Sequence, residues 1–225
     1  MKKLVIFGEN DFAEVARYFF DHDSEYETVA FTVDSAYIQE ETFSGLPLVP
    51  FENVEDVYPP EEYEMFIAIG YSRVNQVRAQ KYLEAKKKGY RLATYISSQA
   101  TAWAHLKIGD NCFVLENNII HPYAEIGCDT VLWSGNYIGH HSKIGSHVFV
   151  ASQVAISGRC IIDDYCFLGA NATLFDHVKL GTRTVVGAGA LIARDTEEDS
   201  VYKSRQTEKH DRFSGQLQYL GGSHG

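Results

Sequence analysis

Aliphatic residues recur at every sixth position from Ile96 to Ile192 without a slip. The register runs Ile96, Ala102, Ile108, Val114, Ile120, Ile126, Leu132, Ile138, Ile144, Val150, Ile156, Ile162, Leu168, Leu174, Leu180, Val186 and Ile192. Of these 17 positions 16 carry Ile, Leu or Val, which neither a helical period nor simple alternation selects so strictly. A period of six predicts a parallel β-helix. Three hexads make one triangular coil of 18 residues, so residues 18 apart stack, with coils about 4.8 Å apart. The position after the aliphatic is Gly at Gly109, Gly127, Gly139, Gly145, Gly169, Gly181 and Gly187. These glycines are expected to serve tight corners whose backbone is awkward for larger side chains. The position four after the aliphatic is mostly small, as at Cys112, Ser142, Cys160, Cys166 and Ala172, and is predicted to pack inside the coil.

Residues 1–95 follow a different pattern. Lys3–Phe7 reads as an apolar strand closing at Gly8, and Asp11–Phe20 as a helix with Phe12, Val15, Ala16 and Phe19 on one face. Tyr26–Val33 alternates and predicts a strand ending at Asp34. Met65–Ile69 predicts a strand closing at Gly70, Arg73–Lys88 a helix with Val74, Val77, Tyr82 and Ala85 inward, and Arg91–Tyr95 a last strand. The stretch around Pro47, Pro50, Pro59 and Pro60 reads as loop. Strands and helices in this order predict a small parallel α/β domain. The expected organisation is an α/β Rossmann-like domain at 1–95, a β-helix at 96–196, and a charged tail at 197–225 that leaves the register. Within the tail, Gln216–Leu220 is a candidate short helix and Gly221–Gly225 reads as disordered.

Composition narrows the function. The formal charge of −10 and pI near 5.3 argue against a nucleic-acid partner. No apolar run is long enough for a membrane span, and the short apolar stretch after Lys2 and Lys3 is no signal peptide. A cytoplasmic protein is the simplest expectation. Cys112, Cys128, Cys160 and Cys166 form no CxxC pair, and small packed residues explain them better than a metal or a disulfide.

Stacking arithmetic juxtaposes candidate chemistry. His140 falls against Pro122 and Gly158, with Asp176 two coils away, and Asn136, Gly139, His141 and Ser142 lie beside it in the chain. A neutral imidazole at the outer edge of a coil can accept a proton near pH 7. A Gly158 amide free of side-chain cover suits a developing oxyanion. Spacing alone leaves open a pair of solvated surface histidines beside a corner glycine. Trp133, with Trp103 and Phe175, is a large residue at a corner where small ones are usual, a candidate for a subunit contact or an acceptor pocket. Gly8 followed by a helix, with Asp34 after the second strand, fits a nucleotide site. The loop Gly8-Glu9-Asn10-Asp11-Phe12-Ala13 lacks GxGxxG, which excludes a dehydrogenase.

The repeat, preceded by this α/β domain and carrying Ile138-Gly139-His140-His141-Ser142-Lys143-Ile144-Gly145, resembles the left-handed β-helix sugar acyltransferases. Among them it is similar to the sialic acid O-acetyltransferase and bacterial nucleotide-amino-sugar N-acetyltransferase family, over roughly residues 2–203. The resemblance implies a left-handed coil and an acetyl-CoA-dependent transfer to a nucleotide-linked amino sugar for surface glycans, with CoA and a nucleotide-activated sugar as partners. It puts the catalytic base at His140 and the oxyanion amide at Gly158. The family's Glu after the base is His141 here, and a second family His is replaced by Phe149, leaving an apolar acetyl pocket or a part for His147. Gly169, Gly187, Ala188 and Gly189 would keep the coils open for pantetheine, and Arg194 and Lys203 would meet the CoA phosphates. Gly8, Asn10, Asp34 and Gly70 match the nucleotide-sugar positions, and Trp133 and Asn136 are further substrate candidates. Flat outer faces imply a homotrimer, and no metal is expected.

Three alternatives differ in class. O-acetylation of a free or nucleotide-linked sugar needs only a hydroxyl presented to His140. A γ-type carbonic anhydrase needs three His on zinc, and His105, His121, His140, His141, His147 and His177 lack that spacing. A non-catalytic nucleotide-binding β-helix is the third.

Overall fold

The structure is a computed structural model, and it describes residues 1–207. The chain opens with β1 (Lys2–Phe7), α1 (Asp11–His22), β2 (Tyr26–Val33), β3 (Thr42–Phe43), β4 (Leu46–Pro50), β5 (Tyr63–Ile67) and α2 (Gln76–Lys87). Their sheet has the order β3-β4-β2-β1-β5, parallel except for the β3–β4 pair. A parallel strand is covered on both faces, which is why β1 is continuously apolar from Leu4 to Phe7 after its two exposed lysines. Leu4 and Ile6 join Phe20, Phe31 and Phe66 in one core, whereas Val5 and Phe7 join Phe51, Met65 and Tyr82 in another.

Three expectations for this half change. The proline-rich loop contains β4, whose Leu48, Val49 and Pro50 pair with Phe31, Thr32 and Val33. Pro47 and Pro50 sit near its ends, where a missing N–H is tolerated. The second helix starts only at Gln76, because Arg73, Val74 and Asn75 all take left-handed φ between 49° and 64°. Its inward face is Arg78, Ala79, Tyr82 and Ala85, with Val74 and Val77 only half-buried. Arg91–Tyr95 is no strand of this sheet. Leu92 makes a single bridge to Met65, and Tyr95–Ile96 already pairs within the coil.

The β-helix keeps its 18-residue stack throughout: Ala102, Ile120, Ile138, Ile156, Leu174 and Ile192 pair in succession. The register aliphatics and the small residues four positions later form one continuous core, so the period of six is a record of what the coil buries. The tail joins this core's sheet, contrary to expectation. Val201 and Tyr202 pair with Val185 and Val186, two residues short of the usual spacing. The candidate helix Gln216–Leu220 and the segment Gly221–Gly225 lie outside the described residues.

The corner glycines have a different cause from the one expected. The left-handed residue of each corner is three positions after the aliphatic, with φ from 52° to 81° between Asn111 and Gly189. Asn, Asp, Tyr, His, Gln and Arg occupy it as well as Gly. The glycine directly after the aliphatic is needed for approach between coils. A Cβ on Gly127 would lie 2.5 Å from the Gly145 carbonyl carbon, and one on Gly139 2.5 Å from that of Ser157.

The outward residue before each aliphatic gives the three faces distinct characters. The domain face carries Tyr95, Phe113, Val131, Phe149 and Phe167, which pack into the Leu4–Ile6 core of the α/β half. The Phe113 ring lies 5.4 Å from Phe66 and 5.1 Å from Tyr95, so the two halves share an aromatic core with no linker. The charged face carries Lys107, Glu125, Lys143 and Lys179 around Ile161, with Glu125 bridging both lysines beside it. The open face carries Ile119, Tyr137 and Leu191, which remain 44%, 41% and 59% exposed.

Candidate active site

His140, His141 and Gly158 come together at the corner between the open and charged faces, as the stacking rule requires. Gly158 is buried, and both histidines are exposed. The His140 ring lies over Gly158: a Cβ there would sit 2.9 Å from His140 Cε1 and 3.0 Å from Nε2. Glycine is therefore required for the imidazole to take this position at all. The other ring nitrogen, Nδ1, is 3.1 Å from Nδ1 of His141. The His141 ring lies 4.6 Å from that of Tyr123.

The Gly158 amide is not bare. Its N–H donates to Oδ1 of Asp176 at 2.7 Å, which corrects the expectation of an uncovered donor. The same bond recurs along the neighbouring edge, where Cys128 N–H donates to Ser146 Oγ and Ser146 N–H to Asp164 Oδ1. A polar side chain one coil on is how these corner amides are satisfied. Both Asp176 and Tyr123 are reachable from the sequence, Asp176 one coil beyond Gly158 and Tyr123 one coil before His141. Stacking counts identify such partners, but side-chain direction decides whether they touch.

Other expected site residues are separated from His140. Phe149 lies on the domain face, buried 5.1 Å from the Tyr71 ring and 5.8 Å from Phe167, so it lines no pocket at this corner. His147 is buried at the corner between the charged and domain faces, with Nδ1 2.7 Å from Asp129 Oδ2, which makes it part of a structural network. Trp133 and Asn136 occupy the corner between the domain and open faces. Trp133 is half-buried, 5.9 Å from Phe12. Asn136 is buried, donates to the Trp133 carbonyl and accepts from Val154 N–H at 2.8 Å, so it braces the coil. Gly169, Gly187, Ala188 and Gly189 share that corner, across the open face from His140. Arg194 and Lys203 are exposed near the end of the coil.

The sequence reading missed the network joining the halves. Arg78 is wholly buried, with Nε 3.1 Å from Asp129 Oδ1, and it also donates to the carbonyls of Asp129, Val148 and Gly70. Asn111 and His147 hold the same carboxylate. An arginine on a helix ordinarily reads as solvated, and no local signal marks this one as buried.

The second candidate site lies at the carboxyl ends of β1, β2 and β5. Gly8 has φ 140°, and a Cβ would come 2.9 Å from the Ala68 carbonyl oxygen. Asn10 caps α1 by accepting from Phe12 and Ala13 N–H, a structural role sufficient to explain it. Asp34 accepts from Lys81 at 2.7 Å. Burial opposes the Lys81 charge, but its bonds to Asp34 and Glu84 hold the ammonium above its usual range. Gly70 faces open space.

Cys128 is half-buried at the corner between the charged and domain faces, away from His140. Cys112, Cys160 and Cys166 are buried, and burial pushes the Cys160 thiol up to about 11 and that of Cys166 up to about 12. Among the described residues, no three His, Cys, Asp or Glu side chains gather to hold a metal ion, and no helix is long and apolar enough to cross a membrane.

Comparison with known proteins bears on this arrangement. Residues 141–176 match the bacterial transferase hexapeptide (six repeats), and residues 159–194 the hexapeptide repeat of succinyl-transferase. Parallel strands with these repeats fit a left-handed β-helix. Over 139 residues the chain is 27% identical to the bifunctional protein GlmU of Desulfitobacterium hafniense, covering 54% of this chain and 31% of that protein. The chain thus spans about a third of the length of that curated relative. PerB from Caulobacter crescentus, solved with CoA and GDP-perosamine, superposes with a TM-score of 0.79 at 20% identity, over 91% of this chain and 95% of that one. The acetyltransferase domain of PglB from Neisseria gonorrhoeae gives 0.77 at 18% identity, over 91% and 97%. WeeI from Acinetobacter baumannii gives 0.75 at 19%, over 89% and 96%. At these identities the likeness establishes a common fold across both halves of the chain.

Proposed function

We propose that the chain is an acetyltransferase that moves an acetyl group from acetyl-CoA to the amine of a nucleotide-linked amino sugar. The observation that carries this reading is the His140 Nε2 edge lying over Gly158, within 3.0 Å of where a Cβ would stand. A base of this kind needs an exposed imidazole on a rigid support with room for the reacting atoms. As the sugar nitrogen attacks the thioester carbon, His140 Nε2 takes its proton. The C–S bond then breaks, CoA leaves as thiolate, and the proton returns to sulfur. The thioester oxygen competes with Asp176 for the Gly158 N–H, since one donor serves both. Direct transfer is favoured because Cys112, Cys160 and Cys166 are buried with their thiols held protonated, and Cys128 lies at a different corner from His140.

The fold supports the identity of both substrates. PerB shares it and was solved with CoA and GDP-perosamine, and the PglB domain was solved with acetyl coenzyme A. In this reading the α/β half is a Rossmann-like domain, and the crevice by Gly8, Asp34 and Gly70 takes the nucleotide, the usual location in an open parallel sheet. The exposed apolar side chains of the open face, Ile119, Tyr137 and Leu191, seat a neighbouring subunit of a homotrimer. That packing would bring one subunit's His140 near another's Gly169 and Gly187–Gly189 edge, with CoA between them. A reaction that consumes acetyl-CoA assigns the chain to the cytoplasm.

The test is incubation of the protein with acetyl-CoA and a panel of UDP-, dTDP- and GDP-linked amino sugars, following free thiol release. At least one sugar is expected to turn over. His140→Ala is expected to lose most of that turnover while still binding CoA. Near-normal turnover by that variant would remove His140 from the mechanism.

A further inference from the structure

We propose that His141, clamped against Tyr123, is the positioning residue for His140, accepting the His140 Nδ1–H so that the lone pair falls on Nε2 over Gly158. The inference rests on the proposed role of His140 as base. Two nitrogens 3.1 Å apart share one proton, so one Nδ1 donates and the other accepts. If His141 donated, His140 would carry its hydrogen on Nε2 and could take no proton from an amine there. The base therefore requires His140 to donate and His141 to accept.

Several features hold His141 in the accepting position. It sits at the left-handed corner with φ 60°, and its N–H donates to the Pro122 carbonyl at 3.3 Å. Its ring lies 4.6 Å from Tyr123 at 34°, and Tyr123 is the left-handed residue of the preceding coil, φ 67°. The two imidazole planes meet nearly at right angles, 87°, with their Nδ1 atoms 3.1 Å apart.

An imidazole in this role differs from a carboxylate in one respect: it can lose its acceptor. A protonated His141 carries N–H on both nitrogens, and the contact with His140 Nδ1 then turns the bond around or breaks it. The titratable and charged groups about the pair are Asp176, whose Oδ1 is 3.3 Å from the same point over Gly158, the Tyr123 phenol, and Arg159 at the matching corner position of the next coil. A carboxylate at position 141 would stabilise the His140 imidazolium and move the acid limb of the rate profile to higher pH.

The test compares His141→Ala, His141→Asn and His141→Glu with the parent by kcat, KM and pH profile. It adds nitrogen-detected NMR of the imidazoles in the full-length protein. Asn places an acceptor oxygen at the same bond distance from the backbone as His Nδ1, and it tolerates the left-handed corner. His141→Ala is expected to lower kcat about tenfold to a hundredfold with KM for acetyl-CoA unchanged. His141→Asn is expected to recover most of that loss, and His141→Glu to shift the acid limb upward. NMR is expected to find His140 protonated at Nδ1 and His141 at Nε2, and the His140 preference to vanish in His141→Ala. His141→Ala within twofold of the parent, or His140 found protonated at Nε2, overturns the inference. His140→Ala with normal turnover overturns the underlying reading instead, so the two failures are distinguishable.

Discussion

Arg78 on α2 and Asp129 on the coil meet at 3.1 Å with neither side chain exposed. The pair ties together two halves that the sequence presents as separate. Removing one partner leaves a buried, uncompensated charge. Arg78→Ala is therefore expected to lower unfolding free energy by about 3–5 kcal/mol. Urea denaturation followed by tryptophan fluorescence measures it, and a loss below about 1 kcal/mol would show that water reaches Asp129 in the variant.

The bond between Gly158 N–H and Asp176 makes a prediction for the cofactor site. An exposed carboxylate that occupies the amide competes with an incoming thioester carbonyl. Asp176→Ala is expected to bind acetyl-CoA more tightly by roughly a factor of three to ten, a modest gain because the bond is solvated. Calorimetry decides this, and unchanged or weaker binding would show that the carboxylate does not compete.

The corner geometry separates two kinds of position. Gly127→Ala would drive a methyl to within 2.5 Å of the backbone of the next coil. It is expected to cost about 1–3 kcal/mol or more, because no flexible side chain can move aside. Gln153→Asn, at a left-handed corner with φ 60°, is expected to change stability by less than about 0.5 kcal/mol. Thermal melts of the two variants are the comparison, and equal shifts would refute the distinction between approach and backbone conformation.

Acid should loosen the junction. Hydrogen bonds from Ser98 and Tyr95 hold the Asp23 carboxyl below the usual carboxylate range. Burial works to raise Asp110, but hydrogen bonds from Lys86 and Tyr82 outweigh it and hold it low as well. Both groups bridge the α/β half and the coil, Asp23 to Tyr95 and Ser98, and Asp110 to Tyr82 and Lys86. A carboxylate depressed in the folded state contributes its stability above the unfolded value, near pH 4, and loses it as pH falls through the folded value. Stability is expected to fall below about pH 4, and Asp23→Asn with Asp110→Asn to flatten that slope. A slope unchanged in the double variant would assign acid lability to other groups.

The sequence by itself determined the coil. One aliphatic every six residues leaves a single way to bury all of them, so register, stacking partners and the meeting of His140 with Gly158 follow from counting. It also determined β1, β2 and α1, from an unbroken apolar run, an alternation and a helical period respectively. It did not determine which outward face of the prism the α/β half covers, or that Arg78 would be buried. Those depend on residues far apart in sequence, such as Phe66 with Phe113 and Arg78 with Asp129, whose contact is an outcome of packing. Nor did it fix what surrounds the candidate base. The stacking count brought Asp176 and Tyr123 to the right coils, but whether a carboxylate caps an amide or a phenol ring supports an imidazole is settled by side-chain direction. The period of six has no information about that, because it records only what points into the core.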